Sequence, residues 1–368
     1  MNMTRIQNAL EHLEEWNCNA LLIEDKINLY YLTGLQLSAG KLLLSNKPTL
    51  FVDARYYEMC KKSSPVPVEL VETSQDPLQQ LLKAWNCSGV QTLGVDGETC
   101  SHKHYLAIEK SLNEYTKATI SLKSLDNPIR TLRMIKDPYE CQRLREAALL
   151  GSQGFDFVCS HLRTGISEAE LALELELFWK KKGSKGLAFE PIIAFAKNSS
   201  MPHYRAGDER LKPGDAVLVD IGVNFEHYHS DMTRMVYYGT PNPKMLAIHA
   251  IVQEAQAAAL KMCKPGTTIG ALDKAARDHI SAKGYGEYFT HSLGHGVGLE
   301  IHELPAIRNG APYKDMVLEA GMVVTIEPGI YLSDLGGVRI ENTVIITENG
   351  YEDLTLRSPK PLIKTIDI

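Results

Sequence analysis

Hydrophobic and polar positions divide the chain into two stretches of different texture. Up to about residue 125, short apolar runs alternate with amphipathic segments. Arg5 to Trp16 has helical spacing, and Ala20-Leu21-Leu22-Ile23 reads as a buried strand. Leu42-Leu43-Leu44 and Thr49-Leu50-Phe51-Val52 predict two strands joined by the Ser45-Asn46-Lys47-Pro48 turn. Pro77 to Trp85 predicts a helix, and Thr92 to Asp96 another strand. This is the pattern of a small α/β domain, placed at residues 1–128, with no catalytic motif. The break Leu125-Asp126-Asn127-Pro128-Ile129-Arg130 marks its boundary. A linker is expected at 129–136 and a second domain at 137–368.

Longer helical periods open the second stretch. Pro138 suits the first turn of a helix reaching about Leu162. Ser167-Glu168-Ala169-Glu170 is a capping box opening a helix that runs to Lys182 and stops at Gly183. Asn242-Pro243 opens another, reaching Cys263, and Ile269 to Lys283 predicts a fourth that stops at Gly284. The strand patterns that follow repeat. Leu211-Lys212-Pro213-Gly214-Asp215-Ala216-Val217-Leu218-Val219-Asp220-Ile221-Gly222 lies over Leu318-Glu319-Ala320-Gly321-Met322-Val323-Val324-Thr325-Ile326-Glu327-Pro328-Gly329, so Asp220 falls on Glu327. Upstream, Arg163-Thr164-Gly165-Ile166-Ser167 resembles Lys264-Pro265-Gly266-Thr267-Thr268. Two related halves, each a helix pair followed by strands, are expected about a pseudo-twofold axis.

Composition narrows the class. The chain has 368 residues, enough for two domains and a large core, and 44% are hydrophobic. No apolar run approaches the roughly 18 residues of a membrane span, and the N-terminus lacks the basic and apolar regions of a signal peptide. Seven cysteines, odd in number and without a C-x-x-C pair, suit reduced thiols better than disulfides or a zinc ribbon. A cytoplasmic location is therefore expected. The net charge of −6 and the lack of a basic run argue against a nucleic-acid partner.

The candidate chemistry lies in the second domain. Asp220, Asp231, Glu327 and Glu341 are acids in β-rich apolar surroundings, where a carboxylate must be paired, hydrogen-bonded or metal-bound. His295 joins them from His291-Ser292-Leu293-Gly294-His295-Gly296-Val297-Gly298. Two divalent cations would balance the roughly −4 of the four acids, and such oxygen-rich ligation with one imidazole favours Mn²⁺, with Co²⁺, Fe²⁺ or Zn²⁺ as alternatives. A two-metal site can activate water and polarise a carbonyl. His203, His291 and His302 could serve proton transfer and charge stabilisation. Arg339, two residues before Glu341, is expected on the same strand face, supporting a ligand carboxylate. His227 and His229 form an H-x-H pair read as lining a hairpin rather than as a second metal pair.

These motifs resemble the creatinase/prolidase/methionine-aminopeptidase superfamily, the "pita-bread" metallopeptidases. The resemblance rests on the Asp220-Ile221-Gly222 strand, Asp231 eleven residues on, the His291 to Gly298 segment, Ile301-His302-Glu303-Leu304-Pro305, Glu327-Pro328-Gly329-Ile330-Tyr331 and Val338-Arg339-Ile340-Glu341-Asn342. It covers about residues 135–365. It implies an α+β protein: a pseudo-twofold duplicated catalytic domain behind a smaller, creatinase-like α/β domain. It also implies that Asp220 ligates one metal and His295 the other, while Asp231, Glu327 and Glu341 bridge or contact both. His203 and His302 would bind substrate and the developing oxyanion, with His291 on the substrate side and Glu327 handling the proton of the attacking water. A homodimer acting on short peptides with proline at the second position is the implied partner set. Creatinase is disfavoured because all five ligand positions are filled, and methionine aminopeptidase because of the added N-terminal domain. A binding-only member would have lost ligands. Between Xaa-Pro aminopeptidase and Xaa-Pro dipeptidase the motifs lean to the aminopeptidase: many prolidase-like chains carry Arg after the His-Glu-x-Pro motif, and this one has Ala306, with Arg308 shifted.

Overall fold

The computed structural model describes residues 2–365 apart from 73, 75, 86, 117, 118 and 127. The chain divides into two compact units, Met1–Arg133 and Met134–Ile368. No helix among the described residues is long and apolar enough to cross a membrane.

The first unit is built on a mixed six-stranded sheet. Its order is Val68–Val71, Thr49–Asp53, Lys41–Leu44, Ala20–Ile23, Thr92–Asp96 and Ser121–Leu125. The four strands read from the sequence form the middle of the sheet and are buried over most of their length, as in Ala20–Ile23. The two outer strands each bury only their last residue and carry no comparable apolar signal. The first helix, Asn2–Glu11, ends earlier than its periodicity predicts, and the chain continues in turns. The expected linker is largely helical: Pro128–Arg133 is a short helix with Pro128, Ile129 and Arg133 buried. Arg133 donates to Asn28 Oδ1 at 2.9 Å, which ties this helix into the first unit.

The second unit carries the duplication. Helices Pro138–His161 and Glu168–Lys181 precede a sheet ordered Leu362–Lys364, Met232–Tyr238, Ala216–Ile221 and Ile192–Phe195. Helices Pro243–Leu260 and Ile269–Ala282 precede a sheet ordered Glu303–Ile307, Gly294–Gly296, Val323–Ile326, Asn342–Thr347 and Gly350–Asp353. In both, the repeat strand is central and antiparallel to its two neighbours. The matched segments make matched bonds. Gly165 N donates to Leu211 O and Gly266 N to Leu318 O, each at 2.9 Å. Isolated bridges join Ser167 to Arg210 and Thr268 to Val317. Gly214 and Gly321, equivalent turn positions, have φ of 98° and 90°, values that only glycine adopts readily.

Side-chain alternation is conserved between the halves as well. Val217, Val219 and Ile221 pack in one cluster with Val158, Leu171 and Leu175 of the first helix pair. Val324 and Ile326 pack with Val252, Leu272 and Ala276 of the second. With a period of two, Asp220 and Glu327 turn to the face away from their helices. The fold thus presents both acids at equivalent places on two inner sheet faces.

Candidate metal centre

Strand pairing places the acids. Met232–Tyr238 runs antiparallel to Ala216–Ile221 with Thr233 opposite Asp220, and Asp231 precedes that strand on the same side as Thr233. An isolated bridge then links Thr233 to Glu341, joining the two sheets. Glu341 N donates to Thr233 O at 3.1 Å, and Thr233 Oγ1 donates to Glu341 Oε2 at 2.7 Å. Arg234 donates to the Glu341 carbonyl from behind. Asp220, Asp231 and Glu341 are all buried.

The glycine-rich segment brings in His295. A Cβ on Gly294 would lie 2.0 Å from Thr325 O, and one on Gly296 would lie 2.2 Å from Leu304 O, so bare backbone is needed on both sides of the histidine. Thr325 Oγ1 accepts from His295 N at 3.0 Å. His295 Nδ1 lies 3.0 Å from Gly296 O, a partner that accepts only, so Nδ1 carries the proton. Its Nε2 lone pair then faces Asp231 Oδ2 at 3.6 Å and Glu327 Oε1 at 3.4 Å. Ligand atoms of Asp231, His295 and Glu341 lie within 4.8 Å of one another.

The electrostatics of this cluster are those of crowded like charge. Burial first, then the neighbouring Glu341 carboxylate, pushes Asp231 and Glu327 well above the usual carboxylate range. Glu341 itself is pushed up to about 8 by burial and by Asp220. Burial and the adjacent His302 lower His295 to about 4, so its ring is neutral near pH 7.

Arg339 does not share a strand with Glu341, contrary to expectation. Its strand, Gly336–Arg339, pairs with Gly329–Leu332; the chain then crosses at Ile340 and Glu341 to enter Asn342–Thr347 in the other sheet. The guanidinium instead grips Asp220 Oδ2, and donates to Tyr331 OH at 2.8 Å and Thr233 Oγ1 at 3.3 Å. Tyr331 OH meets His291 Nε2 at 2.8 Å, while His291 Nδ1 lies 2.7 Å from Ser292 O. Desolvation, reinforced by Arg339, holds His291 down at about 4.

Two further candidate histidines, His302 and His203, lie beside this centre. His302 meets His295 edge-on, with ring centroids 4.3 Å apart. His203 is close enough for its charge to lower both His291 and His302. Buried glutamates anchor the loops that carry these two. Glu303 accepts from Glu300 N at 2.9 Å and from buried Lys136 at 3.1 Å. Glu168 accepts from four donors spread over residues 195–207. By contrast His229 faces Asn224 and Gly298 O, and His227 sits in the hairpin at φ 74°; neither joins the acid cluster.

Residues 142–348 match Metallopeptidase family M24, and residues 5–135 match the Creatinase/Prolidase N-terminal domain. The chain belongs to metallopeptidase family M24. It is a hydrolase. An Xaa-Pro dipeptidase of Pyrococcus horikoshii is 38% identical over 95% of this chain and 96% of its own. The solved Xaa-Pro dipeptidase from Bacillus anthracis superposes with a TM-score of 0.92 at 34% identity, covering 99% of this chain and 100% of that one. The X-Pro aminopeptidase from Thermotoga maritima superposes with a TM-score of 0.87 at 33% identity, covering 96% and 100%.

The donor set of this M24 member fits divalent cations on two structural grounds. Asp220 Oδ1 is buried and has no hydrogen-bond partner. The His295 Nε2 lone pair points at carboxylate oxygens, an acceptor-to-acceptor contact that a cation between them converts into ligation. Thr233, Thr325, Tyr331, Arg234, Glu168 and Glu303 are the supporting residues that motif spacing alone does not single out. Thr233 had a signal, since it follows Asp231 by two and shares its face.

Proposed function

We propose that this chain is an Xaa-Pro dipeptidase, a prolidase that hydrolyses the bond between an N-terminal residue and a C-terminal proline. The carrying observation is full-length likeness, over both units, to proteins named Xaa-Pro dipeptidase. That reverses the ordering suggested by Ala306 and Arg308. An Xaa-Pro aminopeptidase is the second reading, and a specific observation favours it. Ala306 lies opposite His295 in the sheet and offers no cation for a substrate carboxylate, while Arg308 is exposed over the Tyr313 ring at 5.1 Å.

In this reading Asp220, Asp231, His295, Glu327 and Glu341 hold two divalent ions, with Mn²⁺ the best match to the oxygen-rich donors. Bound ions of this kind supply a Lewis acid and lower the pKa of water. The chain's own residues do the rest. Arg339 fixes one oxygen of Asp220 and leaves the other free to ligate. Thr233 and Thr325 orient Glu341 and Glu327. Glu327 takes the proton from the attacking water. His302 and His203 donate to the oxygen on which negative charge develops, and His291, held by Tyr331, bounds the substrate side.

Incubating Mn²⁺-loaded protein with an Xaa-Pro dipeptide and with Xaa-Pro-Xaa tripeptides, and identifying products by mass, tests the proposal. Cleavage confined to the dipeptide is the expected result. Release of the first residue from tripeptides at a comparable kcat/KM would establish the aminopeptidase instead.

A further inference from the structure

The strands around Glu327 and Glu341 form one antiparallel ribbon shared between two sheets. Val323–Ile326 pairs with Asn342–Thr347 in one sheet and ends with Ile326 opposite Asn342. Gly329–Leu332 pairs with Gly336–Arg339 in the other and begins with Gly329 opposite Arg339. Two residues separate the paired segments on each strand, so the register carries through: Glu327 stands opposite Glu341, and Pro328 opposite Ile340. Across this gap Ile340 N reaches Pro328 O only at 3.4 Å. Strand pairing thus lapses where two carboxylates face each other, an opposition that is unfavourable in itself.

A helix side chain spans the gap. Gln256, on the helix Pro243–Leu260, is 1% exposed. Its helix neighbours Val252, Ala255 and Ala259 pack in one apolar cluster with Val324, Ile326 and Ile340. An amide buried there is costly unless it is hydrogen-bonded. Gln256 Nε2 donates to Ile326 O, Ile340 O and Asn342 Oδ1, each at 3.1 Å. All three partners are acceptors, which sets the amide nitrogen on this side, and its two N–H groups serve the three oxygens by sharing. Ile326 and Ile340 immediately precede Glu327 and Glu341. One amide group therefore holds the main chain just before both acids. Asn342 is pinned in turn: its Oδ1 also accepts from Arg234 Nη2 at 2.9 Å, and its Nδ2 donates to Asp353.

The first half of the repeat is built differently. There Ala216–Ile221 pairs with Met232–Tyr238 without interruption, and Asp220 lies opposite Thr233. With the matched turns Arg163–Ser167 and Lys264–Thr268 aligned, Gln256 falls on Phe155, which packs in the apolar cluster of that half. The amide stands in the half whose ladder breaks.

We propose that Gln256 is a positioning residue for the metal centre. By tying Ile326 O to Ile340 O it sets the separation of the Glu327 and Glu341 carboxylates, and with it the affinity of the centre for its cations. This rests on the reading of the five donors as a two-cation site. The three bonds go to no donor side chain, so Gln256 acts through the main chain.

Gln256→Met in the full-length protein removes the N–H donors and keeps a long side chain of good helix propensity. Val252→Ala, a packing change on the same helix, is the control. Mn²⁺ binding isotherms, the visible absorption spectrum of Co²⁺-loaded protein and denaturant unfolding are the readouts. The parent should bind two Mn²⁺ per chain. Gln256→Met should weaken uptake of at least one of them by about 10- to 100-fold, and should alter the Co²⁺ spectrum, which reports ligand arrangement. Val252→Ala should lower the unfolding midpoint and leave affinity and spectrum as in the parent. Gln256→Glu, of the same size and able to donate only when protonated, replaces Gln256→Met if that variant does not fold, with the same direction of effect expected. Affinities within about twofold of the parent and an unchanged spectrum in the folded variant would overturn the proposal and leave the two-cation reading standing. An equal loss of affinity in Val252→Ala would also overturn it, by making the effect one of stability. A parent that takes up fewer than two cations would overturn the two-cation reading, and the proposal with it.

Discussion

Glu168 offers the most informative perturbation outside the proposed metal donors. It is fully buried at the start of the helix Glu168–Lys181. Oε1 accepts from Phe195 N at 2.7 Å and Asn198 Nδ2 at 3.0 Å; Oε2 accepts from Tyr204 OH at 2.7 Å and Gly207 N at 3.1 Å. Asn198 also donates to Tyr204 OH at 2.8 Å, which closes the network. One carboxylate thus gathers a loop that also holds the 3-10 turn Ala196–Ser200 and a turn closed by Tyr204 N to Met201 O at 3.1 Å, and His203 sits between two of the carboxylate's contacts. Hydrogen bonds to a charged acceptor contribute about 1.5–3 kcal/mol each, and less than additively when they share one group. Glu168→Ala strands all four donors, and a loss of about 3–5 kcal/mol is expected, a large share of a typical domain's stability. Glu168→Gln keeps one acceptor oxygen and turns an NH₂ towards the other pair of donors. A loss of about 2–3 kcal/mol is expected, small enough for the variant to fold.

The kinetic consequence separates loop anchoring from simple stability. A displacement of His203 by about 1 Å should reduce kcat on the order of 10²-fold through misplacement of the charge-stabilising group. Metal content should not change, because none of the five donors touches this network. Denaturant unfolding, metal analysis and kcat with KM on Glu168→Gln form the assay. If the variant is destabilised as expected but keeps kcat/KM within about twofold of the parent, the carboxylate holds the fold without placing His203, and the reasoning fails.

Four further outcomes are expected. Chelation should abolish peptidase activity and Mn²⁺ or Co²⁺ restore it; turnover by rigorously metal-free protein would contradict the site. Asp220→Asn should lower kcat by orders of magnitude while the fold survives, because it weakens both ligation and the Arg339 pair; near-normal kcat would refute the ligand assignment. His302→Ala should lower kcat and leave metal content intact, whereas loss of metal would make His302 a ligand. Stability should also fall in acid through His249, which is 1% exposed and bonded to Tyr237 OH at 3.1 Å and Pro359 O at 2.9 Å. Burial lowers its folded pKa, so between that value and the unfolded value of about 6.5 the unfolded chain binds more protons. Stability is then complete above pH 6.5 and is lost as pH drops below it; His249→Phe should flatten this part of the profile of unfolding free energy against pH.

The four acids of the candidate centre were legible because each adjoins or interrupts an apolar strand pattern. Asp220 and Glu327 stand out twice, by burial expectation and by the repeat. The duplication was legible for the same reason, since paired glycines at 214 and 321 mark turns that no other residue fills easily. Arg339 was misplaced because periodicity cannot see the crossing at Ile340 and Glu341, where the chain changes sheets without a turn signal. In the first unit the outer strands were illegible because only one of four residues in Val68–Val71 is fully buried. The lean to an aminopeptidase rested on one local position, Ala306, whereas the likeness to proteins named Xaa-Pro dipeptidase runs through the whole chain.

The loop anchors show why repetition reveals donors and hides their support. Glu168 follows the helix cap Ser167, and the equivalent residue in the second half, after cap Thr268, is Ile269. Both are fully buried, but Ile269 packs in the apolar cluster beneath the second sheet. The backbone positions correspond and the tasks do not. In sequence, Glu168 looks like an ordinary acid in the first turn of a capped helix, since Ser167 and Glu170 complete the capping box without it. Nothing local distinguishes a solvated acid at that place from one that collects four distant donors. The distinction arises only when the strand Ile192–Phe195 brings Phe195 N against it, a contact set by the sheet. Supporting residues of a site are therefore defined by tertiary register, whereas donors must carry their chemistry in their own side chains and can be read before folding.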